Sequence, residues 1–151
     1  MVEQQTVLIV EDDAIIGQLL STILKKQGYH TLQARNGAGA VGCAELYLNQ
    51  IDLVICDVVL QFETGPAVAA RVCALCPEAR ILFISGLPLD MLFERNLMRP
   101  DDLEDGRAFH LQKPFLPVEL VCFAERILPT CGDSRSLDLD GRTNENVFTA
   151  H

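Results

Sequence analysis

Glu11, Asp12 and Asp13 stand together behind an apolar run, Val7–Val10, and a second apolar run, Ile51–Cys56, leads directly to Asp57. Ser85 follows a third run, Ile81–Ile84, and Lys113 follows a mixed segment, 107–112. A carboxylate nucleophile, further carboxylates, a hydroxyl and an amine are the parts of a phosphoryl-transfer site, whose work is positioning and charge neutralisation. Two carboxylates ~4 Å apart repel by about 4 kcal/mol at an effective dielectric near 20. A cluster of three must take up a proton, bind a cation or pair with a base. An all-oxygen donor set suits Mg²⁺, which keeps several waters and accepts phosphate oxygens. The competing account is that acids at strand ends merely cap helices. It suits Asp13 better, because acids favour helix N-termini. It leaves unexplained why the other polar residues also fall where inner strands end.

The elements that must hold these residues alternate regularly. Behind Val7–Val10 come helix-spaced Ile16, Leu19, Leu20, Ile23 and Leu24, closed by Gly28. Residues 30–34 read as a weaker strand. Asn36 is placed to cap a helix burying Val41, Ala44 and Leu48. Residues 64–75 read as a helix ending before Pro77, and 88–98 as one ending before Pro100. An acidic loop, Asp101–Gly106, precedes the last strand. Pro117 opens a final helix with Val121, Ala124 and Leu128 on one face. Alternating β/α pairs imply a doubly wound, five-stranded parallel sheet with helices on both faces and right-handed crossovers. In a sheet of order 2-1-3-4-5, strands one and three meet at the topological switch, and Glu11, Asp12 and Asp57 would converge in the crevice there.

Taken together, Val10-Glu11-Asp12-Asp13, Asp57 with Gly65 eight positions on, Ser85-Gly86 and Lys113-Pro114-Phe115 resemble the response-regulator receiver family of two-component signal transduction. The resemblance covers roughly residues 5–128. It implies a flavodoxin-like α/β fold and a Mg²⁺ cofactor. Glu11 and Asp12 would be the acidic pair, with Asp12 a direct ligand; Asp57 would be phosphoacceptor and ligand, and the Val59 backbone carbonyl would complete the set. Ser85 would hydrogen-bond a phosphoryl oxygen, Lys113 would pair with the phosphoryl group, and Lys113–Pro114 would be a cis peptide. His110 matches the aromatic switch position. It is expected to turn inward into space opened when Ser85 moves toward the phosphoryl group. The chain departs from the family in three places. Gln61 replaces a common proline, Val59 offers no polar side chain, and the stretch from Ser85 to Lys113 is longer than in the simplest receivers. That length resembles receivers attached to, or partnered with, hybrid sensor kinases.

The implied partners are a sensor histidine kinase or histidine phosphotransfer protein as donor. A downstream protein target would bind the face formed by 88–98, 107–112 and 117–128. The chain would be a monomer or a weak phosphorylation-dependent dimer. Residues 1–128 are read as the receiver domain and 129–151 as a polar, mobile tail too short for an output domain, so the chain is expected to be a stand-alone receiver or an excised piece.

Other totals agree. Apolar residues make up 49% of 151, which excludes a disordered chain. A net charge of −9, with scattered cations, argues against nucleic-acid binding. No apolar run reaches the ~18–20 residues of a membrane span. With no cationic start before an apolar stretch, a cytoplasmic protein is expected, with thiol cysteines. Gly37, Gly39 and Gly42 spell GxGxxG, but Arg35 and Asn36 separate it from its strand, and a dinucleotide site would leave Glu11, Asp12 and Lys113 idle. Cys73 and Cys76 form CxxC at a helix end, where thiol pKa is not lowered; packing is the expected role. A phosphohydrolase using an aspartyl intermediate is the other alternative. Val59 occupies the second acidic position that its DxD signature needs.

Overall fold

The computed structural model describes residues 4–128 apart from Asp105; the stretch read as a tail, 129–151, lies outside the described residues. Five strands, β1 Thr6–Val10, β2 His30–Ala34, β3 Leu53–Asp57, β4 Arg80–Ser85 and β5 Ala108–Gln112, form one parallel sheet in the order β2-β1-β3-β4-β5. Both central strands, β1 and β3, are buried at every position, as strands covered on both faces must be. Successive side chains point to opposite faces and so divide the core in two. Val7, Ile9, Leu53, Ile55, Leu82 and Ile84 pack against α1 (Ala14–Lys26) and α5 (Pro117–Ile127). Leu8, Val10, Val54, Cys56 and Phe83 pack against α2 (Gly37–Leu46), α3 (Gly65–Leu75) and α4 (Leu89–Glu94). Each such side chain contributes about 1.5–3 kcal/mol on burial.

Helix ends follow local chemistry. Asp13, Asn36 and Thr64 cap α1, α2 and α3 with side-chain oxygens. Gly28, at φ +95°, closes α1 with Gly28 N–H donating to Lys25 and Tyr29 N–H to Leu24. The same device shortens the fourth helix relative to its expected 88–98 span. Asn96 takes a left-handed φ of 59°, and the amides of Asn96 and Leu97 turn back to Phe93 and Leu92. A short 3₁₀ helix, Pro100–Leu103, then occupies part of the stretch read as an acidic loop.

Two helix faces are rotated from their expected positions. In α2 the buried residues are Gly37, Ala40 and Ala44; Val41 is half-buried, and Leu48 lies beyond the helix end and is exposed. Small residues there let α2 sit close to the sheet. In α5 the stripe is Leu120, Phe123, Ala124 and Ile127, while Val121 is half-buried and Leu128 is the buried cap residue.

Strand register carries the polar residues to one edge. Val10 lies opposite Cys56, so the next residues, Glu11 and Asp57, leave β1 and β3 level with each other. Ser85 lies opposite Gln112, which brings Lys113 beside it, with Lys113 N–H donating to the Ser85 carbonyl at 2.7 Å. Gly65, at the start of α3, passes tightly over this edge. Its amide donates to the Val58 carbonyl at 2.6 Å. A Cβ there would collide with the Asp57 carbonyl oxygen and lie 2.9 Å from Val58 Cα. Because the obstacle is backbone, it cannot swing aside. Gly65→Ala is expected to cost about 1–3 kcal/mol, as overpacking does, and urea denaturation measures the loss. An unchanged midpoint would mean that α3 shifts freely.

Candidate functional site

Asp57, the last residue of β3, is buried, and both its oxygens are engaged. Oδ2 lies 3.1 Å from Lys113 Nζ, and Oδ1 accepts the Val59 N–H at 3.2 Å. Glu11, one residue past β1, is buried too. Its Oε2 accepts the Asp13 N–H at 3.2 Å, and its Oε1 lies 3.7 Å from Lys113 Nζ without a hydrogen-bond partner among the described residues. Asp12 completes the cluster from a half-buried position. Glu11, Asp12 and Asp57 each offer an oxygen, all within 4.8 Å of one another. Asp13 turns away and caps α1 through Ile15 and Ile16, as the capping account expects. The Lys113–Pro114 peptide is cis.

The electrostatics are unbalanced, with three carboxylates facing one ammonium. Burial pushes the Glu11 carboxyl up to about 7; the Asp13 N–H pulls it down, while the Asp57 charge pushes it up and Lys113 opposes that. An orphaned buried carboxylate oxygen in an all-oxygen donor set fits a hard divalent cation. Among the described residues, Glu11, Asp12 and Asp57 are therefore the group able to hold one.

Ser85, at the end of β4, is 1% exposed. Its hydroxyl donates to the Leu87 carbonyl at 2.5 Å, and His110 Nε2 lies 3.0 Å from Oγ. A serine has one proton to give. With that proton on Leu87, His110 must donate Nε2–H to Oγ, which assigns the tautomer and leaves Nδ1 bare. Nδ1 is buried and has no hydrogen-bond partner among the described residues, and burial lowers the His110 pKa, which favours the neutral ring. The sequence reading has His110 turning inward only after Ser85 moves. In the structure the ring is already inside, 7% exposed. Alternation along β5 puts it on the face of Ala108, where Ser85 offers it a polar partner.

The GxGxxG segment does not build a phosphate cradle. It follows β2, an edge strand, and the N-terminus of α2 already holds a carboxylate: Glu63 Oε2 accepts the Gly37 N–H at 2.8 Å. Glu63 Oε1 pairs with Arg71 of α3. A cavity of about 240 Å³ beside Asp12 is lined by Arg35, Asn36, Leu60, Gln61, Phe62 and Glu63. Sequence reasoning missed Glu63 and the Leu87 carbonyl. The glycine after a capping Asn is the one signal that another group approaches there; nothing marks a backbone carbonyl. Cys73 lies in the last turn of α3, and Cys76 is its buried cap residue.

Fold and site together define a doubly wound α/β protein with an acidic crevice at its strand-order switch. The chain belongs to the response regulator receiver domain family, whose model matches residues 7–123. It is 31% identical over 122 residues to the response regulator receiver protein CpdR of Brucella abortus (strain 2308), covering 81% of this chain and 95% of that one. Similarity to the uncharacterized transcriptional regulatory protein YbdJ of Bacillus subtilis (strain 168) is 35% over 117 residues, 76% of this chain and 47% of that protein. For the sensor kinase CckA of Brucella abortus (strain 2308) it is 31% over 123 residues, 82% of this chain and 12% of that protein. The chain thus spans less than two thirds of the latter two. Among solved structures, the receiver domain of the hybrid histidine kinase CckA superposes with a TM-score of 0.68 at 27% identity, covering 82% of this chain and 99% of that one. The Vibrio cholerae chemotaxis protein CheY4 gives 0.67 at 25% identity, covering 83% and 100%. No described helix is long and apolar enough to cross a membrane.

Glu11 makes stability depend on pH. Unfolded, its carboxyl titrates near 4.5; folded, at about 7. Between these values the folded protein keeps a proton that the unfolded chain has lost, so Glu11's contribution falls as pH rises through the window. In metal-free buffer, the urea midpoint of Glu11→Gln relative to the native protein is expected to rise from about pH 5 to about pH 7. Comparing the two proteins cancels His110, whose lowered pKa acts in the opposite sense. A difference independent of pH would show that Glu11 is ionised throughout.

Proposed function

We propose that this chain is a phosphorylation-switched binding module that takes a phosphoryl group from a phosphohistidine onto Asp57. The observation that carries this reading is the placement of Asp57: buried at the end of the central strand, beside two further carboxylates and 3.1 Å from Lys113. A carboxylate oxygen of Asp57 attacks phosphorus in line. The O–P bond forms as the N–P bond breaks, and the electron pair returns to the donor imidazole. Lys113 follows the negative charge from Asp57 to the phosphoryl oxygens. Mg²⁺ held by Glu11, Asp12, Asp57 and the Val59 carbonyl would neutralise charge on those oxygens.

The donor is a sensor histidine kinase or a histidine phosphotransfer protein. Relatives bearing the name sensor kinase support this. So does an apolar rim near the crevice: Ile15 and Leu19 on α1, Leu116 and Val118 at the start of α5, and Val59 and Phe62 are exposed. Exposed apolar groups on segments that leave or follow the strand ends suit protein docking.

Output runs through Ser85. To donate to a phosphoryl oxygen, its hydroxyl must leave the Leu87 carbonyl, and His110 then loses the oxygen its Nε2–H now holds. That rearrangement couples the site to the face of α4, β5 and α5, where a downstream protein would bind. Reversing a 1:99 equilibrium to 99:1 takes about 5.5 kcal/mol of differential stabilisation, within reach of several charge-assisted contacts at about 1.5–3 kcal/mol each.

Asp57→Asn is expected to abolish Mg²⁺-dependent labelling by acetyl phosphate in a folded protein, and Asp12→Ala to weaken Mg²⁺ binding at least tenfold. Acid-stable, base-labile label persisting on the Asn variant would place the acceptor elsewhere; turnover of phosphoesters by the native protein would favour a phosphohydrolase. A second expectation concerns the switch. Beryllofluoride at Asp57 should shift amide NMR signals across α4, β5 and α5, and His110→Ala should confine the shifts to the loops around Asp57. Equal shifts in both proteins would remove His110 from the coupling.

A further inference from the structure

Glu63 belongs to none of the groups assigned above, yet it ties three elements together beside the cluster of Glu11, Asp12 and Asp57. The chain from Val59 to Thr64 leaves β3 and returns to α3 as a small closed loop. Val59 and Thr64 bridge across its base, and the Leu60 N–H donates to the Glu63 carbonyl at 3.1 Å. The tip has little to hold it: Gln61 is exposed, and Phe62 is 90% exposed. Leu60, buried in the core between sheet and α3, is one anchor. The base bonds tie Val59 and Thr64 to each other, and only the Val59 N–H, 3.2 Å from Asp57 Oδ1, ties that base to the cluster, so a closed loop with one side-chain anchor can still rock as a unit, Val59 included. The Glu63 side chain supplies the second anchor. One oxygen accepts the Gly37 N–H at the start of α2, at 2.8 Å, and the other pairs with Arg71 of α3. The first contact also sets a carboxylate against the positive end of a helix.

We propose that Glu63 is a positioning residue of the metal site: by bridging α2 and Arg71 it holds the 59–64 loop so that Val59 can lend its carbonyl to Mg²⁺. This rests on the phosphoacceptor reading, and it accounts for two otherwise idle features. Glu63 lines the same cavity as Asp12, but with both oxygens engaged it stays out of the cluster of Glu11, Asp12 and Asp57. A Cβ on Gly37 would occupy the space of Arg71 Nη2 and both Glu63 oxygens, so these side-chain ends could stay paired there only by moving aside. The glycine of the GxGxxG segment thus makes room for a carboxylate from the chain itself.

Two variants break the bridge without changing net charge. Glu63→Asp is one methylene too short to reach both partners, and Gly37→Ala pushes their ends apart. Calorimetric Mg²⁺ titration of the full chain, without phosphodonor, is the readout, with circular dichroism and urea midpoints as the check on folding. Each variant is expected to bind Mg²⁺ about tenfold more weakly, as loss of an outer-shell partner does. The double variant is expected to lie within about twofold of the weaker single one, because both act on one bridge. Native Mg²⁺ affinity in either folded variant overturns the proposal, whatever happens to stability; if one fails to fold, the other decides. Native protein that binds no Mg²⁺, or takes no label at Asp57, sinks the phosphoacceptor reading instead. Native protein that does both, beside a variant of equal affinity, sinks the bridge alone.

Discussion

Three carboxylates gathered within 4.8 Å, against a single lysine, set the terms for the rest of the molecule. Their mutual repulsion is opposed by Lys113 and by the backbone amides of Asp13 and Val59. Such a cluster can persist only on a scaffold that cannot relax it. The two most buried strands of the sheet supply that scaffold, because Val7–Val10 and Leu53–Cys56 are paired in register and packed on both faces. The hydrophobic core thus bears the electrostatic cost of the crevice, and the excess negative charge becomes available to attract a cation.

A second constraint is the single proton of Ser85. It cannot serve the Leu87 carbonyl and a phosphoryl oxygen together. The hydroxyl is satisfied locally, and His110 is buried because Ser85 accepts from it. On the proposed reading, phosphorylation competes with an internal hydrogen bond rather than filling an empty place. An imidazole suits that competition. Among the described residues its Nδ1 has no partner, so hydrogen bonding holds the inward ring through Nε2 and Ser85 alone.

Much of the fold was legible in the sequence. Apolar runs of strand length, Gly28 as a helix stop and Asn36 as a cap each express a local preference that the tertiary structure upholds. The errors have local causes as well. The fourth helix stops early because Asn96 adopts a left-handed conformation that asparagine tolerates without requiring. The buried faces of α2 and α5 were misplaced because nearby apolar residues fit more than one helical stripe. In α2 the alanines go inward, where close approach to the sheet favours small side chains, and Leu46 and Leu48 stay exposed.

By itself, the sequence determined the alternation of elements and the placing of acidic, hydroxyl and amine groups just beyond apolar strands. Both are properties of short segments, set by hydrophobic period and by the polar residue that ends each run. Tertiary structure decided what depends on groups far apart in the chain. Register brought Glu11 level with Asp57; packing turned His110 inward onto Ser85; a return loop set Glu63 against Gly37, 26 residues away. No local pattern encodes such pairings, because each is settled by which surfaces meet once the whole sheet has formed.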